Sequence, residues 1–153
     1  MTRPAAARDL DALALLYQAL LEHHAALEPA FALRPGAGGR LAAVLARMLR
    51  DDDSAVFVWE EDGRIEGFSA VRIERGPGLL AEDVRTEITE LGVRPERRRG
   101  GIGRALVQAA CEWAAARSAK RVEVRVAARN REGQGFWRAL GYEDFVDVLQ
   151  RRI

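Results

Sequence analysis

Between Leu91 and Leu106 the chain passes from an apolar run, Leu91-Gly92-Val93, through a basic segment, Arg94 to Arg99, into Gly100-Gly101-Ile102-Gly103-Arg104-Ala105-Leu106. Few architectures accommodate that order. The apolar run reads as a strand, Pro95 and the glycines as a loop, and Ile102, Leu106, Ala109, Ala110 and Trp113 recur at helical spacing over 101–118. A helix that opens on such a loop leaves its first backbone N–H groups unpaired, and its dipole adds partial positive charge there. Phosphate binds well at such a terminus. Glycines at 100, 101 and 103 remove Cβ atoms from the approach, and arginines at 97, 98, 99 and 104 add charge. The residues by themselves predict a site for a phosphate-bearing cofactor.

Two common phosphate sites fit poorly. The Gly-Lys-Ser/Thr of a nucleoside triphosphate loop is absent. A dinucleotide fingerprint needs a small residue where Leu106 stands, and Glu123, about 20 residues on, is the one feature in its favour.

The flanking sequence supplies the other layers. Leu10, Leu13, Tyr17, Leu20, Leu21 and His24 mark an amphipathic helix over 9–27, with Asp9 as its expected N-cap. A second helix is predicted over 39–50. Ala55 to Trp59 and Ile65 to Ile73 read as strands joined at the Asp62-Gly63 turn. Residues 84–93 form another strand, and Val122, Val124 and Val126 alternate with charged residues as a strand does. A short helix is predicted over 131–140 and a closing strand over Tyr142 to Leu149. The order implies one α/β (α+β) domain over residues 1–153, a mixed, mostly antiparallel sheet flanked by helices.

Charge and cysteine count remove several functions. Lys plus Arg is 24 and Asp plus Glu is 23, so the net charge is +1, which argues against a dedicated nucleic-acid binder. Cys111 is alone, so neither an intrachain disulfide nor a cysteine zinc site forms. His23 and His24 are adjacent, about 100° apart on a helix, and cannot face one metal; no metal site is expected. The start of the chain has no apolar leader segment, and no run reaches the ~20 residues of a membrane helix. The expectation is a cytoplasmic protein without a membrane partner.

Arg98-Arg99-Gly100-Gly101-Ile102-Gly103 matches the pattern Arg/Gln-x-x-Gly-x-Gly/Ala, preceded by Val93-Arg94-Pro95-Glu96. Downstream, Asn130 and the segment Phe136-Trp137-Arg138-Ala139-Leu140-Gly141-Tyr142 match an Asn…Phe-Tyr-x-x-x-Gly-Phe pattern. Together these resemble the GNAT superfamily of acyl-CoA-dependent N-acetyltransferases, over nearly the whole chain and in the right order. The resemblance implies acetyl-CoA as co-substrate, with its pyrophosphate held by Arg98 to Arg104. It implies that the pantetheine arm lies along the backbone of Leu91, Gly92 and Val93 and near Asn130. It implies direct transfer to an amine, carried by a small molecule or a peptide, and family members are often homodimers.

Catalytic candidates lie on the same strand. Glu87 stands six residues before Val93, where histone-type members of the family carry a catalytic glutamate, and Thr89 is expected on its face. Glu90 is close to where polyamine-type members place acidic contacts. Either carboxylate could bind an entering ammonium and take its proton. One departure stands out: the family's general-acid tyrosine is replaced by Trp137, whose indole donates a hydrogen bond but is no useful acid, although its position would border the thioester. The expected function is N-acetyl transfer in a ternary complex; the alternative is a CoA-binding sensor or interaction module without turnover.

Overall fold

The computed structural model describes all residues, 1–153. Its sheet has five strands in sequence order: β1 (Thr2–Pro4), β2 (Ser54–Glu61), β3 (Arg64–Arg75), β4 (Val84–Val93) and β5 (Glu123–Val124). The first four run antiparallel, and β5 lies parallel to β4. The β2–β3 hairpin closes at Asp62 and Gly63, both at positive φ, as the Asp-Gly signal predicts.

Helices cover both faces. On one, α1 (Leu10–Leu27) and α2 (Leu41–Met48) bury Leu13, Leu16 and Leu45 against Val56, Val58, Phe68 and Ala70. On the other, α3 (Ile102–Ala115) and α4 (Arg131–Ala139) bury Ile102, Leu106, Ala110 and Trp137 against Phe57, Val71 and Ile88. Each strand residue alternates between these cores, which is why β3 reads as a near-continuous buried run. No helix is long and apolar enough to cross a membrane.

Two expectations change. Tyr142 to Leu149 is not a strand: it pairs with no other strand, its first amide bonds back to Trp137 O, and Phe145, Val146, Val148 and Leu149 are exposed. A β-prone pattern marks capacity, but a strand needs an edge to pair with. Asp9 stands at the N-cap position of α1, but its side chain makes no capping bond. Its buried carboxylate turns back, accepting from Ala6 N at 2.8 Å and pairing with the Arg3 guanidinium at 2.7 and 2.9 Å. That pairing holds the Asp9 carboxyl below its ordinary range, while burial opposes it.

Candidate active site

β4 carries an extra residue. Opposite β3, Glu87 faces Arg72 and Ile88 faces Val71, but the next pair is Glu90 with Ala70, so Thr89 is a bulge. Directly opposed residues share a face of the sheet. Glu87 and Glu90 therefore both point toward α1, while Ile88 and Leu91 both point toward α3.

The two carboxylates meet different surroundings. Glu87 is buried, and the guanidinium groups of Arg72, Arg85 and Arg125 lie 3.3, 3.2 and 3.5 Å from its oxygens. Its charge is already compensated. Glu90 has no cationic partner. Its Oε1 accepts from the Tyr17 hydroxyl at 2.9 Å. Burial pushes the Glu90 carboxyl up to about 7; the Tyr17 hydrogen bond lowers it in part and Glu87 raises it. A carboxyl poised near neutrality is suited to accept a proton from an amine.

Beyond these residues the sheet opens. β5 pairs with β4 only at Glu87↔Glu123 and Ile88↔Val124. From Thr89 to Val93, β4 keeps β3 on one side and has no strand on the other. The backbone of Leu91, Gly92 and Val93 thus has one edge free of a strand partner. Gly92 also serves packing, since a Cβ there would lie 2.8 Å from the Phe68 ring.

The basic loop follows directly on this free edge. Arg99 and Gly101 take positive φ, +63° and +83°, and Gly101 is the residue before α3. The first intrahelical bond runs from Ala105 N to Gly101 O, so the amides of Ile102, Gly103 and Arg104 have no backbone acceptor. A Cβ at Gly101 would meet nothing within 4 Å, and at Gly100 only Arg97 O at 3.5 Å. This is open space over unpaired donors, which suits a pyrophosphate. Arg98, Arg99 and Arg104 are exposed and free of ion pairs, whereas Arg97 is tied to Glu61. Gly103 serves packing as well: its missing Cβ admits the Phe136 ring of α4, 3.2 Å away.

A model of the acetyltransferase (GNAT) family matches residues 16–142. The chain belongs to the GNAT acetyltransferase family. It is 32% identical over 128 residues to mycothiol acetyltransferase of Clavibacter michiganensis, a match covering 80% of this chain and 39% of that protein. The chain spans 39% to 42% of the length of the curated relatives it matches. A tetramutant of a Bacillus halodurans protein shares the fold with a TM-score of 0.88, at 22% identity over 100% of this chain and 99% of that one. An aminoglycoside N-acetyltransferase in complex with CoA shares it with a TM-score of 0.78, at 20% identity over 100% of this chain and 93% of that one.

In this member of the GNAT family the downstream motif builds α4. Asn130 is its N-cap, with Oδ1 accepting from Gly133 N at 2.9 Å. Trp137 is core: the indole is 8% exposed and packs edge-on against Phe136 and Tyr142, at 5.2 and 5.0 Å between centroids. His24 is half-buried and pushed down by burial and then by His23. Sequence reasoning missed Tyr17 as a site residue. The available signal was a hydroxyl on the inward stripe of α1, which must find a partner once buried.

Proposed function

We propose that this chain transfers an acetyl group from acetyl-CoA to a primary amine, with Glu90 as the general base. The observation that carries the proposal is the bulge at Thr89, which turns an uncompensated, half-buried carboxylate toward the α1 side just where β4 loses its outer partner. Glu87 differs, because three arginines occupy it. Its role is to hold β3, β4 and the β5 segment together.

The unpaired first-turn amides of α3, with Arg98, Arg99 and Arg104, would hold the pyrophosphate of acetyl-CoA. The free side of Leu91 to Val93 would hold the pantetheine arm and orient the thioester carbonyl. Glu90 takes the proton of the entering ammonium. The amine nitrogen then forms a bond to the carbonyl carbon as the carbon–sulfur bond breaks, and the electron pair leaves on sulfur. With thiol pKa values near 8.5, that thiolate is a tolerable leaving group; the acylated nitrogen sheds its remaining extra proton to solvent, and the thiolate takes one up from solvent. A buried Trp137 does not alter this. The acceptor class is an amine that is cationic when free, on a small molecule or a peptide terminus, because the carboxylate proposed to meet it, Glu90, has no cationic partner of its own. The relatives named for mycothiol and aminoglycosides favour the small molecule.

The experiment is CoA release under multiple turnover against polyamine, amino acid, aminoglycoside and peptide acceptors, alongside thermal shift with acetyl-CoA. Turnover with one amine, lost in Glu90→Gln, is the expected result. Stabilisation by acetyl-CoA with no turnover on any amine would favour a sensing module. No stabilisation at millimolar acetyl-CoA would remove the proposal altogether.

A further inference from the structure

Glu90 is held by a residue from a different layer. The Tyr17 hydroxyl, on α1, donates to Glu90 Oε1 at 2.9 Å and makes no other hydrogen bond. Its ring stands edge-on to Phe68, 5.9 Å between centroids and 64° between planes. Phe68 is fully buried and fills the space left by the missing Cβ of Gly92. The Tyr17 ring, the Phe68 ring and the β4 backbone thus form one packed stack, and the phenol oxygen is fixed relative to Glu90.

We propose that Tyr17 is a positioning residue for acetyl transfer: its hydroxyl fixes one oxygen of Glu90 and stabilises the ionised form, leaving the second oxygen for the incoming amine. The inference rests on the reading of Glu90 as the base. Packing alone does not require the hydroxyl, since a phenylalanine would fill the same stack. The hydroxyl stays a donor while Glu90 titrates, because burial pushes the Tyr17 phenol further up, as does Glu90.

The other groups around Glu90 are few. Glu87 shares its face and disfavours its charge, and is itself met by Arg72 from β3, Arg85 from β4 and Arg125 beyond β5. Ala70, opposite on β3, is apolar. His24 lies two turns beyond Tyr17 on the same stripe of α1, about 10 Å along the axis, and burial favours its neutral form. Tyr17 is therefore the one neighbour that favours the ionised Glu90 by direct contact.

The test uses Tyr17→Phe, which keeps the ring. The titration midpoint of Glu90 is read by carbon NMR on glutamate-labelled protein, and kcat/KM against pH is read with the best amine acceptor. Losing the hydrogen bond should raise the midpoint by about one pH unit and move the acid limb of the rate profile with it, a tenfold loss on that limb. Activity should recover at high pH. An unmoved midpoint overturns the inference. A midpoint that moves while the rate profile stays in place overturns the assignment of Glu90 as base, and with it the place of Tyr17 in the reaction. The NMR arm needs no substrate, so the two failures are told apart.

Discussion

Glu87 and Glu90 stand three residues apart on β4 and face the same side of the sheet, because the bulge at Thr89 interrupts the alternation. Shared orientation does not mean shared chemistry. Three arginines neutralise one carboxylate, and the other meets a single phenol.

Their amide variants should separate. Glu90→Gln removes the base and should lower kcat/KM by about a hundredfold to ten-thousandfold. Glu87→Gln should leave activity within about tenfold but destabilise the fold by about 1–2 kcal/mol, since a buried carboxylate is lost from three part-exposed guanidinium groups, two of which keep other partners. Steady-state kinetics and urea denaturation on both variants check this; the reverse pattern would make Glu87 the base.

The same carboxyl predicts a pH dependence of stability. Glu90 ordinarily titrates near 4.5 and is pushed up to about 7 in the fold. Between those values the folded chain keeps a proton that the unfolded chain releases, so this group lowers stability as pH rises through the window. Glu90→Gln abolishes that loss. The variant should melt higher than the parent at pH 8 and show no such advantage at pH 4. Melting curves across that range decide it.

β5 hangs on few contacts. It pairs with β4 at two positions, and Arg85 supplements them by reaching Glu123 at 2.7 Å, Glu74 at 3.2 Å and Glu87 at 3.2 Å. Arg85→Ala should cost about 1–2 kcal/mol, less than a fully buried pair because the guanidinium is part-exposed and Glu87 keeps two other partners. Amide exchange should speed up at Glu123 and Val124 before it does in β3. Uniform exchange across the sheet would mean that Arg85 is not what holds β5.

The strand–loop–helix at Leu91 to Leu106 was legible because each part is local: an apolar run, a turn that glycine permits, and helical spacing. The Asp62-Gly63 hairpin was legible for the same reason. The bulge at Thr89 was not, since a register shift belongs to two strands and leaves no mark in the composition of one. Phe145 to Leu149 misled for a related reason: alternation and β-branching say nothing about whether an edge is available. The Tyr17–Glu90 pair joins residues 73 positions apart and follows only from the packing of α1 on β4.

Two glycines of one motif should respond differently to alanine. At Gly101 the φ of +83° strains any side chain, at about 1–2 kcal/mol. Gly101→Ala should therefore lose stability and, by distorting the loop, weaken acetyl-CoA binding. At Gly103 the new Cβ would press on Phe136 at 3.2 Å, but helix propensity improves by ~1 kcal/mol, which offsets much of the overpacking. Gly103→Ala should stay within about 1 kcal/mol of the parent. Calorimetric titration with acetyl-CoA and thermal melts would show it; equal losses in both variants would count against separate roles.

Trp137 occupies the position where the resemblance expects an acidic tyrosine, and it is wedged between Phe136 and Tyr142. Trp137→Tyr would leave a gap where the larger indole stood and put a hydroxyl into an apolar cluster. That should destabilise the fold by about 2–3 kcal/mol. The rate should not rise, because the thiolate leaves without a protein acid and the new phenol is held by the core. Thermal melts and kcat at pH 7 test both halves. A faster Trp137→Tyr enzyme would show that protonation of sulfur limits the parent reaction and that the ring at 137 reaches the thioester.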